Sequence, residues 1–399
     1  MQALNAATLQ ITNNTVNTGA FDTLITNSGG ELRASGAGSV VRVDSFYTDT
    51  SEVAIHGGTI RAQDGGDVIF GGGLLDGDTE QGAATLVGGI SADALFLRGE
   101  TANQGSIHLR DSAANADSGG TIFVTAEGAE LTGGGTIVMD ETTGSDSITG
   151  AAQEGRGLDP ALYTPSQLVF TDQLVTGGGL IWSEFQDIGG YYSYVIQLIL
   201  GSDGEVRATA GHTMTIGTKY TITNDGTLHA MGGVMKLYDQ VTGTGQVLIS
   251  SGGRMEVRAD FGSDITFSAS ATATAETLVF TDWDDDGDNL DYNQTIRGMG
   301  VGDRVFFAGT LYGDFNSLMG SPNKFSWVQN GTGGTIRYVV DGETLTYNVA
   351  NVPRAELELT YSQDFGVGFV RLAATKGTSS SEKMTGTSGE KQADRLVWE

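Results

Sequence analysis

Apolar and polar side chains alternate along this chain in short runs, each opened by glycine and closed within a few residues. In Arg254-Met-Glu-Val-Arg258, Met255 and Val257 share one face, while Arg254, Glu256 and Arg258 share the other. Val234-Met-Lys-Leu-Tyr238 repeats the pattern with Met235 and Leu237 inward. A period of two is that of a strand with one side buried. Only Gln2–Gln10 hints at a helical stripe, through Leu4, Ala7 and Thr8.

One phrase recurs: GGELRAS at 29–35, GGTIRAQ at 57–63, GGTIFVT at 119–125, GGTIVMD at 134–140, GEVRATA at 204–210, DGTLHAM at 225–231 and GGRMEVR at 252–258. The stretch from Thr23 to Ala34 also matches Thr221 to Ala230 once two residues are skipped. A strand this short cannot bury its apolar side alone, so many in series predict stacking into one core. The predicted fold is all-β, a right-handed parallel β-helix (β-solenoid) over residues 20–280, with residues 1–19 as an N-terminal cap. Irregular spacing of the phrase suggests rungs of roughly 20 residues with insertions.

The pattern lapses at Glu141–Gln167, which holds two of the four prolines and reads as an inserted loop. An aromatic stretch follows, with Trp182, Phe185, Tyr191, Tyr192 and Tyr194. Read as one strand, Tyr191–Leu200 puts Tyr192, Tyr194, Ile196, Leu198 and Leu200 in the core. Beyond Phe280 the strands lengthen and become more aromatic, predicting an all-β capping segment over 281–375. The tail, 376–399, is polar and reads as disordered.

Composition narrows the function classes. The 399 residues include 61 glycines, no cysteine and 49 acidic against 21 basic side chains, for a net charge of −28. Such a chain repels nucleic acid and anionic membrane surfaces and attracts cations. The first basic residue is Arg33, so the visible N-terminus carries no secretory n-region. No apolar run reaches the roughly 20 residues of a membrane-spanning helix, and direct membrane insertion is not expected.

The strongest chemical motif is Asp282-Trp-Asp-Asp-Asp-Gly-Asp288. Carboxylates at alternate positions can converge on one ion while Gly287 allows the turn, so Asp282, Asp284, Asp286 and Asp288 are the predicted Ca²⁺ ligands. Asn293 stands where an EF-hand needs a bidentate Glu, which excludes that motif, and a solvated acidic turn is the alternative. Asp64–Asp67 and Asp76–Asp78 read as ordinary turns. His56, His108, His212 and His229 lie far apart and read as surface residues. Asp140/Glu141 and Asp284/Asp286 are the carboxylate pairs an enzyme could use, but adjacency alone does not set the gap that glycoside hydrolysis needs. Trp182, Phe185 and Tyr191 are candidates for stacking on a glycan or a protein partner, or for packing beneath the loop.

The Gly-Gly-Thr-Ile and Asp-Gly-Thr-Leu phrases, Val241–Gly253 and the low-lysine, cysteine-free composition resemble the β-helical passengers of bacterial autotransporters and filamentous-haemagglutinin-like adhesins. Ile296–Phe307 also resembles the G-x-G-D-R-[VI]-x-F element near the ends of large secreted repeat proteins. The resemblance implies an extracellular or bacterial cell-surface location and carries over no catalytic residue. The expected function is therefore a non-enzymatic adhesin or structural protein that binds a surface ligand or itself. The alternatives are a polysaccharide-active enzyme on the same scaffold and a self-assembling sheath, matrix or phage-fibre subunit.

Overall fold

The computed structural model describes residues 1–12, 23–44, 53–110, 119–140, 146–154, 165–183, 191–193, 195–218, 220–258, 261–268, 274–281, 295–308, 325–340, 343–362 and 364–373. These residues form an all-β protein dominated by a large, mostly parallel sheet. Among them, the one helical turn is a 3-10 segment at Arg354–Glu356. The chain divides into two compact units, residues 1–229 with 233–246, and residues 230–232 with 247–399.

In the first unit the chain visits three parallel ladders in turn. The first runs through Gln2–Leu4, Glu31–Ser35, Thr59–Gln63 and Ala84–Val87, and later through Ser166–Phe170, Ile196–Leu200 and Ile222–Asn224. The second includes Thr8–Thr12, Val40–Asp44, Ser106–Leu109, Thr136–Met139, Leu174–Gly177 and Glu205–Thr209. The third includes Thr23–Thr26, Val53–His56, Ser147–Gly150, Gly179–Trp182, Thr213–Gly217 and Val234–Leu237. The long strand Gly89–Asn103 serves all three, changing register near Ala92–Ala94 and Leu97–Gly99.

Because the ladders are in register, like side chains stack. Val41, Val68, Ile90, Ile107, Ile137, Val175 and Val206 form one inward row, and Ile122, Ile148, Ile181, Ile216 and Leu237 form another. All are fully buried. β-Branched side chains fit a pleated surface, which is why the inward positions are so rich in Val and Ile.

The glycine phrase falls on all three ladders: 31–35 and 59–63 lie on the first, 136–139 and 205–209 on the second, and 121–124 on the third. It therefore marks corners rather than turns of the whole repeat, and this explains its irregular spacing. The physical reason is close approach: a side chain at Gly226 would overlap the carbonyl of Gly204, one pass earlier in the chain.

Three readings of local structure change. The stripe at Gln2–Gln10 is not helical; Gln2–Leu4 and Thr8–Thr12 are the first strands of two ladders. The segment 141–167 contains Ser147–Gly150, which carries the third ladder forward, and Ala152–Glu154. Tyr191–Leu200 is not one strand: Ile196, Leu198 and Leu200 are buried in the first ladder, whereas Tyr191–Ser193 pairs antiparallel with Ala152–Glu154 outside the large sheet.

The second unit starts in the same parallel manner. Arg254–Val257 pairs with Thr277–Thr281, which pairs with Arg304–Ala308. Antiparallel strands then take over: Phe325–Asn330, Gly333–Val340 and Glu343–Val349 form a meander, and Leu357–Ser362 and Gly366–Arg371 form a hairpin. Gly366–Arg371 closes one edge by pairing antiparallel with Arg304–Ala308. The core here is aromatic, with Tyr347 packed against Phe280 and Phe307 at ring-centroid distances of 4.9 and 4.5 Å.

Candidate functional site

Of the residues singled out in the sequence, Trp182 has the most informative surroundings. It ends a third-ladder strand, and its register partner is Gly217. The six-membered ring of the indole occupies the space beside that glycine, where any side chain would collide with it. The next position across is Tyr238, whose amide donates to the Ile216 carbonyl at 2.9 Å. Its ring meets the indole edge-on, with centroids 5.1 Å apart and planes at 85°. Both rings are half-buried.

Buried polar groups fix the backbone beneath this pair. The Ser183 hydroxyl donates to the Thr218 carbonyl at 2.8 Å and accepts from the Ile196 amide at 3.2 Å. The Thr218 hydroxyl donates to the Tyr220 carbonyl at 3.0 Å, and the Thr218 amide donates to the Asp239 carboxylate. Ser183 and Thr218 have no exposed surface. Hydrogen bonds between successive passes of the chain thus hold the backbone beside the two rings.

Trp182 also stands where the chain leaves the third ladder. The connections after Gly150 and after Trp182 depart from neighbouring strands of that ladder and meet as the ribbon Ala152–Glu154/Tyr191–Ser193, with Glu154 opposite Tyr191. Sequence reading had placed Tyr191 beside the loop but could not see that two connections pair. Phe185 lies outside the described residues, as do Asp282, Asp284, Asp286 and Asp288. The described residues contain no group of three or more acidic or histidine side chains arranged for a metal ion.

The four histidines, isolated from one another in sequence, each have a partner: for three of them it lies on a distant part of the chain, and for His108 it lies within its own strand. His56 Nε2 is 3.3 Å from Asp76, His229 Nδ1 is 3.1 Å from Glu205, and His212 Nε2 is 4.0 Å from Asp140. His108 Nε2 is 2.9 Å from the Ser106 hydroxyl. His229, together with Arg207, holds the Glu205 carboxyl at about 2, against the opposing effect of burial. Burial works to raise Asp76 as well, but the hydrogen bond and charge of Arg98, the Asp78 amide and His56 outweigh it and hold the group low. These arrangements brace the outer faces of the strands. Of the carboxylate pair Asp140/Glu141, Asp140 is exposed and faces His212, while Glu141 lies outside the described residues.

No family model, curated protein or solved structure matches this chain.

Proposed function

We propose that the chain is a right-handed β-solenoid of an extracellular or cell-surface binding protein, and that its lateral aromatic platform takes a ligand by stacking. The observation that carries this reading is the Trp182–Gly217–Tyr238 arrangement: a half-buried indole seated on glycine, edged by a second ring and anchored by buried hydroxyls. Three parallel ladders visited in turn support the solenoid, because a chain advancing steadily through three sheets stacks rung upon rung. Aromatic rings pair an apolar face with a polar handle, which suits the apolar face of a sugar ring. The charge of −28 favours a neutral glycan over an acidic one.

A glycan array followed by titration tests the proposal. Binding of a neutral oligosaccharide should fall at least about tenfold in Trp182→Ala, in line with about 1.4 kcal/mol for a lost stacking partner. Tyr238→Ala should weaken the same ligand. Retained affinity in both variants would remove the platform from the reading, and cleaved oligosaccharide products would replace it with the enzyme alternative.

A further inference from the structure

The second unit contains a buried acid that its surroundings do not satisfy. Glu276 stands immediately before the strand Thr277–Thr281, and Asp303 stands at the matching place before Arg304–Ala308. They are 2% and 5% exposed. Asp303 has a clear role: its carboxylate accepts the Glu276 amide at 3.0 Å and the Gly300 amide, bracing successive passes of the corner. In the first unit Asp146 does the same, accepting the Gly120 amide at 2.9 Å from the position just before Ser147. Glu276 carries one more methylene, and neither of its carboxyl oxygens has a well-formed hydrogen-bond partner.

We propose that Glu276 is a proton-held latch of the second unit. Protonated, it is a neutral side chain sealed in the corner; ionised, it sets a second buried charge against Asp303 and loosens the strands Thr277–Thr281 and Arg304–Ala308.

The elements at this corner supply little to offset such a charge. The turn at Ser250–Gly253 offers the Ser251 amide, which favours the ionised form, while the turn before Arg304 offers Asp303, which opposes it. Arg371 acts on Asp303 and is itself engaged by Glu356, at 2.9 Å, and by the Met299 carbonyl. Burial, followed by the charge of Asp303, pushes the Glu276 carboxyl up to about 8. The unfolded chain releases this proton near the ordinary glutamate value, so between the two the folded state holds a proton that the unfolded state has lost. Stability from this group is complete below the ordinary value and is lost as pH rises through about 8.

The test compares the full-length protein with Glu276→Gln in chelator, by denaturant unfolding from pH 5 to pH 9. The two should be similar in acid. The wild type should then lose at least about tenfold in its folding equilibrium constant relative to the variant by pH 9. Parallel pH profiles would overturn the proposal. A wild-type measurement covers the case in which the variant folds poorly: hydrogen exchange at Val279 and Phe306, corrected for intrinsic rates, should show protection falling as pH rises from 5 to 8, and constant protection across that range would also overturn it. If Ca²⁺ at pH 9 restores the wild type and not the variant, the pair holds a cation and the proton latch is wrong.

Discussion

Where the third ladder runs through Gly179–Trp182, Thr213–Gly217 and Val234–Leu237 in the first unit, its strands have one buried side, whereas Arg254–Val257, Thr277–Thr281 and Arg304–Ala308 in the second have two. Along the third ladder of the first unit the outward residues Leu180, Thr215 and Lys236 are all partly exposed. The corresponding outward row of the second unit is Glu256, Val279 and Phe306, at 6%, 0% and 3% exposure. Phe365 covers this row, with its ring 5.7 Å from Phe306 and 5.1 Å from the Arg254 guanidinium. The sequence registers the difference: alternation is clean in Thr213–Gly217 but gives way to continuous apolar runs in Leu278-Val-Phe280 and Val305-Phe-Phe307. Strands covered on both faces lose the period of two, because neither side needs to meet water.

The largest effects should not distinguish the units. Asp at Met235 or Leu237 in the first, or at Met255 or Val257 in the second, replaces a fully buried apolar side chain with an unpaired charge. Loss of about 4 kcal/mol or more is expected, enough to unfold a marginal protein. Circular dichroism melts of the four variants would show it, and a native-like melt would reverse that residue's inward assignment.

Outward positions should separate the units sharply. Phe306→Ala should cost about 3–5 kcal/mol, as for a core aromatic, while Thr215→Ala should stay within about 0.5 kcal/mol. Equal costs in denaturant titrations would mean that the second face is not sealed by Phe365.

Glu256 sharpens the contrast further. The alternation alone makes it an exposed, silent position, yet it is buried and its carboxylate lies 3.0 Å from Arg254 Nε. Glu256→Ala should therefore cost about 1–3 kcal/mol, since a buried carboxylate and its contact with the partly exposed Arg254 are lost and a void is left in their place. Lys236→Ala in the first unit should be nearly neutral. The same titrations, run as a pair, would decide this.

The smallest effect concerns pH and has opposite signs in the two units. Glu205, held at about 2 chiefly by His229, contributes stability that is present above the ordinary glutamate value and is lost as pH falls toward 2. Glu276 loses its contribution as pH rises. His229→Gln should thus weaken the protein slightly at neutral pH and flatten its acid limb without changing the alkaline one. An unchanged acid limb would show that the His229–Glu205 contact adds nothing in solution.

Much of the fold was legible because it is local. Strand alternation needs only neighbours in the chain, and glycine corners need only a nearby carbonyl, so the inward set at 234–237 and most of the C-terminal strands could be read directly. The candidate site was legible only in part. Trp182 stood out by type, but its seat on Gly217 and its contact with Tyr238 depend on residues 35 and 56 positions later falling into register.

The chain by itself determined an all-β, mostly parallel architecture with aliphatic inward rows, because a period of two leaves one face to bury. Tertiary structure decided which corners coincide, since the lengths of the connections set which passes come into register. That is why Glu276 meets Asp303 27 residues away, why His56, His212 and His229 find their partners, and why Glu256, polar by pattern, is enclosed once Phe365 folds over its row.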